Sequence, residues 1–584
     1  MKTIFCSYKT LTVACAFAFA GMPFFATLPQ ADTTQAHSIE ISDSHFAQAP
    51  ARITDMPTGN TFSGNYLAAR FAQRQQDWPA AQHYMNAVVN FDSENELMTS
   101  RAFLLSLGAG EYPAARRLAE KITAEHQNGT DIASIFMACE AMTRGEFQTA
   151  ADMVARLPDD GFGQYTKPLL TAWAKVGMGD RTGAIAHLSE YSEETDPTYN
   201  LHLAMMYDIA GDTENAAKHY TASMEDNLSL HNVLLLADFF TRSGNTEMAS
   251  RLRDGIGDLY NVPAAKNNPP MIRTPADGAA VAMFDLATML FERRSFDSAQ
   301  IYSHLVMILS PQSDFGRLMV GDIATINEHY GPAAAAYGKI PATSPLYLLS
   351  RLRIAETYEA ANKTEAAATL LRELSAMPQT RMQALTALGD MHRRNENFTQ
   401  AIAIYDEILA DVTEPGEDHW ALIYARGMSL ERANEWDRAE KDLLLALSFQ
   451  PDNPMILNYI GYTWIDKGVN LQKGMDFVRR AVNLRPDDGY ILDSYGWAFY
   501  RLGDMQQAVY WLEKSVALVP DDTAILDHLA DAYWQSGRHT EARFKWQRAR
   551  TLSKDADFRA AVERKLRNGM EPAATTLVHK DTSL

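Results

Sequence analysis

YILDSYGWAFYRLGDMQQAVYWLEKSVALVPDD, residues Tyr490–Asp522, is followed directly by TAILDHLADAYWQSGRHTEARFKWQRARTL, Thr523–Leu552. The second stretch restates the first. Leu492 falls on Leu526, Gly496 on Ala530, Phe499 on Tyr533, Ala508 on Ala542 and Leu512 on Trp546, always 34 residues on. Towards the amino terminus, Gly427, Gly461 and Gly496 stand 34 and 35 apart, and Pro451, Pro486 and Pro520 keep the same step. A constant period of this length implies one supersecondary unit repeated along the chain, each copy burying its apolar face against the next.

The residue types specify two helices per unit. Glycine or alanine at the eighth and twentieth places lets the helix axes approach, while Phe499 with Leu512, or Tyr533 with Trp546, fills the space around that contact. Proline at the end of the unit stops the second helix, because it has no amide hydrogen and its ring clashes with the preceding turn. Gly503 and Gly537 stand at the turn between the helices, where a left-handed backbone is needed. This order resembles the tetratricopeptide repeat, a helix-turn-helix unit of about 34 residues. The resemblance implies an all-α fold, a right-handed superhelical solenoid of tandem helical hairpins, and no single activity.

In a solenoid the chain length of 584 residues measures repeats more than domains, and 46% hydrophobic residues suffice for a continuous core. The formal charge of −20 argues solubility and repels phosphate backbones, so nucleic acid is not an expected partner. The chain opens with two lysines, Lys2 and Lys9, then an apolar run from Leu11 to Leu28, then small and polar residues. Residues 1–36 therefore read as a secretory signal peptide or a retained N-terminal membrane anchor, which predicts an exported protein of the periplasm or cell envelope. Of Cys6, Cys15 and Cys139, only the last lies beyond the leader, so no internal disulfide is expected; its alanine-flanked helical place reads as core packing.

Residues 37–60 read as a flexible linker and 61–254 as a divergent half of the solenoid. There LAARFAQRQQDWPAAQHYMNAV sets Ala68, Phe71, Ala80 and Tyr84 at repeat spacing, and AMMYDIAGDTENAAKHY does so with Ala204, Tyr207, Ala216 and Tyr220. Four prolines and two glycines in GIGDLYNVPAAKNNPPMIRTP mark an interruption at 255–279, read as a boundary between two halves. The second half runs over 280–554, clearest from residue 420. After it, residues 555–584 read as a polar capping helix and a disordered tail. Roughly fourteen units are countable.

No His-Glu-x-x-His, Gly-x-x-x-x-Gly-Lys-Ser/Thr or Gly-x-Ser-x-Gly motif occurs, so neither an enzyme nor a cofactor or metal is expected. The pairs Asp487-Asp488 and Asp521-Asp522 follow the repeat proline and suit helix starts. The remaining candidate is the concave face, to which the first helix of each unit turns its second, fifth, ninth and twelfth residues. In the last three units these are Met455, Asn458, Tyr462 and Ile465, then Tyr490, Asp493, Trp497 and Tyr500, then Ala524, Asp527, Asp531 and Trp534. The row is aromatic and acidic, the chemistry of a protein-binding hot spot. The expected groove is thus Asn458, Tyr462, Tyr490, Asp493, Trp497, Tyr500, Asp527, Asp531 and Trp534, joined by Arg501. A single arginine does not make a clamp for a C-terminal carboxylate.

The segment from Leu457 to Ala549 carries a closer resemblance, through the one-residue expansion around Val469–Gly474, the helix ILDSYGW and the following LADAYWQSGR. It is similar to the carboxy-terminal part of large tetratricopeptide-repeat lipoproteins of the Gram-negative envelope. That resemblance implies a partner, a periplasmic carboxy-terminal processing protease, and a role as adaptor bringing the protease to its substrates. The alternative is an assembly scaffold for an outer-membrane protein or polysaccharide export machine. This chain departs from those relatives in lacking a convincing lipobox around Cys15.

Overall fold

The computed structural model describes residues 58–125, 131–159, 163–192, 197–224, 228–256 and 271–571. The expected leader, nearly all of the linker, most of the expected interruption and the end of the tail lie outside them. Among the described residues every regular element is helical. The chain divides into two compact units, Met1–Ala384 and Leu385–Leu584.

Unit 1 contains α1 (Phe62–Arg74), α2 (Trp78–Phe91), α3 (Glu96–Gly108), α4 (Tyr112–Glu125), α5 (Asp131–Thr143), α6 (Phe147–Ala155), α7 (Gly163–Gly177), α8 (Arg181–Ser192) and α9 (Pro197–Ala210). It continues with α10 (Thr213–Ala222), α11 (Leu230–Ser243), α12 (Thr246–Ile256), α13 (Pro275–Glu292), α14 (Phe296–Leu309), α15 (Asp314–Ile326), α16 (Tyr330–Gly338), α17 (Tyr347–Ala360) and α18 (Thr364–Ser375). Helix α19 (Arg381–Arg394) begins at the division, and unit 2 follows with α20 (Phe398–Ala410), α21 (Trp420–Arg432), α22 (Trp436–Phe449), α23 (Pro454–Asp466) and α24 (Leu471–Leu484). Its last elements are α25 (Gly489–Leu502), α26 (Met505–Leu518), α27 (Thr523–Gln535), α28 (His539–Leu552) and α29 (Ala556–Asn568). No helix among the described residues is long and apolar enough to cross a membrane.

The helices from α1 to α28 pair into fourteen hairpins, and each inter-helix turn holds a residue with positive φ. In eight turns it is glycine, as at Gly503 and Gly537; in six it is Gln76, Arg294, Glu328, Asn362, Glu396 or Asn434, which accept the left-handed strain. The expanded turn between α23 and α24 carries two such residues, Gly468 and Asn470. Each Pro-Asp-Asp start is capped by its second aspartate: Asp488 Oδ1 accepts from the amides of Tyr490 (3.0 Å) and Ile491 (3.2 Å), and Asp522 does the same for α27. At Gly496 the helices come so close that a Cβ would lie 2.6 Å from Leu512 Cγ.

The first hairpin corrects the expected register by one residue. Ala69, Ala72, Ala81 and Met85 are buried there, whereas Phe71 is 67% exposed. The buried small residues Ala69 and Ala81 are twelve apart, as are Gly496 and Ala508. The alternative alanines at 68 and 80 had hidden that frame.

Unit 1 also departs from nearest-neighbour stacking. Helices α13 and α14 belong to the hairpin series, yet α13 packs across α5 and α7, and α14 across α3 and α5. The Tyr112 hydroxyl lies 2.9 Å from His304 Nδ1, and Gln300 Nε2 donates to the Gly108 carbonyl at 3.0 Å. A Cβ at Gly278 would strike the Trp173 indole. His329 Nε2 reaches the Gln75 carbonyl at 2.8 Å.

Candidate protein-binding groove

In unit 2 the first helices of successive hairpins lie side by side, α23 against α25 and α25 against α27, so their repeat-equivalent residues form one inner face. At its near end Tyr424 and Tyr459 meet edge to face, centroids 5.9 Å apart, and the Tyr459 hydroxyl donates to Glu431. Asn458 is half-buried with Oδ1 enclosed and unpartnered. Tyr462 has its hydroxyl pKa pushed up to about 12 by burial and by the carboxylates of Asp466 and Asp493.

The centre is a stack of rings. Trp497 lies between Tyr500, at 4.6 Å and 12°, and His528, at 4.2 Å and 20°. Both indole faces are therefore covered within the chain, and Trp497 Nε1 is buried without an acceptor. Asp493 is buried and holds His528 through Nδ1 at 2.9 Å. Burial disfavours the imidazolium, yet the Asp493 carboxylate outweighs it and keeps the His528 pKa above the usual value. Tyr500 is also pushed up to about 12, by burial and the nearby Asp531. Tyr490 is 53% exposed, the most open aromatic ring of the expected set. Arg501 binds the carboxylate and carbonyl of Asp466, both at 2.9 Å, and so is already engaged.

The far end is occupied by the chain's own α29. Lys565 Nζ sits between Asp527 and Asp531, 2.8 Å from each. Beyond α29 the backbone runs against α27: the Met570 carbonyl accepts from Trp534 Nε1 at 2.9 Å and the Glu571 carbonyl from Gln535 Nε2 at 2.8 Å. His539 stacks on the Trp534 ring at 4.1 Å. Asp531 has an interior duty too, accepting from Trp546 Nε1 at 2.9 Å. Burial and the proximity of Asp527 raise its pKa to about 6, against the opposing pull of Lys565.

Asn458, Tyr462, Tyr490, Asp493, Trp497 and Tyr500 thus share one face, while Asp527, Asp531 and Trp534 share the same face under an intramolecular occupant. His528 and Lys565 were missed by sequence reasoning. One signal for the interior role of Asp531 was present: an aspartate fifteen residues before an aromatic donor recurs at Asp322 with Tyr337 (2.6 Å), Asp390 with Tyr405 (2.7 Å) and Asp531 with Trp546. Nothing comparable marks His528. Among the described residues no group of His, Cys, Asp and Glu could hold a metal ion.

The tetratricopeptide-repeat family model matches residues 352–417 and 496–557, and the chain carries these repeats. A TPR repeat-containing protein of Pseudomonas aeruginosa is 33% identical over 144 residues, which is 25% of this chain and 24% of that protein. The chain thus matches about a quarter of that relative's length. Two solved structures align broadly: the APC/C hetero-tetramer Cut9-Hcn1, at 14% identity and TM-score 0.36 over 88% of this chain and 97% of that one, and yeast Tom70, at 14% and 0.34 over 86% and 94%. With TM-scores below 0.5, neither supports an inference about this chain.

Proposed function

We propose that this tetratricopeptide-repeat chain is a non-catalytic scaffold that binds segments of other proteins along the inner face of unit 2. One observation carries the reading. The face of α27 already holds polypeptide, with backbone carbonyls on Trp534 and Gln535 and an ammonium on Asp527 and Asp531. The same face continues over α21, α23 and α25 with Tyr424, Tyr462 and the exposed Tyr490, where aromatic surface rimmed by carboxylates suits an incoming chain. The apolar leader Leu11–Leu28 favours action in the cell envelope. The resemblance of Leu457–Ala549 to envelope lipoproteins favours a processing protease as partner, the chain serving as its adaptor.

The test replaces Tyr490 with a photo-reactive residue in living cells and identifies crosslinked species by mass spectrometry. Capture of an envelope protease supports the adaptor reading; capture of components of an export machine replaces the adaptor with an assembly scaffold. Crosslinks confined to the chain itself overturn the scaffold. A fusion of residues 1–40 to an enzyme active only outside the cytoplasm is expected to give activity, and a silent fusion removes the envelope assignment.

A further inference from the structure

The packing of α13 and α14 across α3, α5 and α7 involves three buried histidines: the hydrogen bonds of His202 and His304 require neutral rings, and His231 sits between phenylalanine rings with no hydrogen-bond partner at Nδ1. On α9, His202 Nδ1 accepts from Trp173 Nε1 at 2.9 Å, and an indole N–H can only donate. A proton on Nδ1 would set two N–H groups against each other. His202 Nε2 then carries the hydrogen and is buried without an acceptor. On α14, the Gln300 amide nitrogen donates to the Gly108 carbonyl and lies 3.2 Å from His304 Nε2. His304 Nε2 must therefore accept, leaving Nδ1–H for the Tyr112 oxygen. On α11, His231 is wedged edge-on between Phe284 of α13 and Phe315 of α15, at 5.0 and 4.5 Å, and its Nδ1 is buried and unpartnered.

We propose that α13 and α14 form an acid-released plug: protonation of His202, His231 and His304 detaches this hairpin from α3, α5 and α7 and opens the inner face of unit 1.

The surroundings offer an imidazolium little. His304 faces the Tyr112 hydroxyl on α4, the Gly108 carbonyl, which favours the charged ring, and, beyond α16, Lys339, which disfavours it; burial outweighs the carbonyl. His231 disfavours charge on His202. The carboxylate on the α13 side, Asp285, lies 3.4 Å from Asn232 Nδ2. Among the described residues no carboxylate pairs with any of the three histidines. Burial above all holds His231 and His304 down to about 4 and His202 to about 3. Once hydrated, such rings titrate near their ordinary value of about 6.5, so lowering the pH from 7 to 5 shifts the opening equilibrium about twentyfold for each histidine with a closed-state value of about 4. At neutral pH the plug stays seated. This reading is independent of the groove in unit 2.

Hydrogen–deuterium exchange of the full chain, read by mass spectrometry at pH 7.5 and 5.0 after correction for intrinsic exchange, tests it. Peptides within 275–309 should lose protection on acidification by about a hundredfold or more, while those of α21–α28 keep theirs. His304→Gln, which stays neutral yet can still meet Gln300 and Tyr112, should blunt the loss. His231→Phe should do the same, and a circular-dichroism melt confirms that each variant folds. Equal protection of 275–309 at both pH values overturns the proposal. So does a loss spread evenly over both units, or one left unchanged in two folded variants.

Discussion

Replacing Trp497 with alanine separates a structural ring from a binding ring. The indole is stacked on both sides, against Tyr500 at 4.6 Å and His528 at 4.2 Å. Each such pair contributes about 0.5–1.5 kcal/mol beyond area burial. Truncating an aromatic side chain in a packed site costs about 3–5 kcal/mol; Trp497 is only half-buried, so about 3 kcal/mol is expected. In a unit of this size that lowers the melting temperature by about 6–12 °C. Trp497→Phe keeps a ring between Tyr500 and His528 and should recover about half of the loss. Tyr490→Ala, at a position 53% exposed, should move stability by less than about 0.5 kcal/mol while weakening partner binding about tenfold. Thermal melts of the three variants beside pull-downs of the crosslinked partner decide the matter. A Trp497→Ala protein that melts with the wild type would refute the stack as a structural element and return Trp497 to the binding surface.

Lys565→Met leaves Asp527 and Asp531 facing each other without their shared cation; about 2 kcal/mol of stability should be lost, with α29 exchanging amide hydrogens faster, and an unchanged α29 would contradict the ion pairs. Gly496→Val drives a side chain into Leu512, 2.6 Å from the first added carbon, and should destabilise by about 3 kcal/mol in urea unfolding. His528, whose folded pKa is raised by Asp493, contributes stability that is complete below about pH 6.5 and is lost as pH climbs through the raised value. Asp493→Asn should flatten that decline in pH-dependent melts of unit 2, and an unaltered slope would discount the pair.

From Trp420 onwards the hairpins were legible because glycine, aromatic and proline recur at a fixed step, each with its own steric reason. Earlier units were fainter partly because Arg294, Glu328, Asn362 and Glu396 fill left-handed turn positions where glycine would have announced the turn. Around Phe71 two adjacent alanines offered two registers, and burial chose the other. The inner face of unit 2 was readable from repeat positions, since helical periodicity fixes which residues share a side. Which of them stay open was not. Lys565 reaches Asp527 from 38 residues away, and Tyr112 meets His304 across 192, contacts that no local pattern encodes.

The Tyr112 to His304 contact also sets a timetable for synthesis. Helices α3, α5 and α7 leave the ribosome long before α13 and α14, and at about 5–20 residues per second the 192 intervening positions take about 10–40 s to translate. From its own synthesis until Gly278 emerges, the side of Trp173 that α13 later covers faces water, or whatever apolar surface the cell supplies. Unit 1 can close only after Leu309 emerges, so a chain released earlier would carry a sticky, half-built face. Translation pauses before residue 309 should therefore raise its aggregation, whereas pauses after it should leave α13 and α14 seated on α3, α5 and α7.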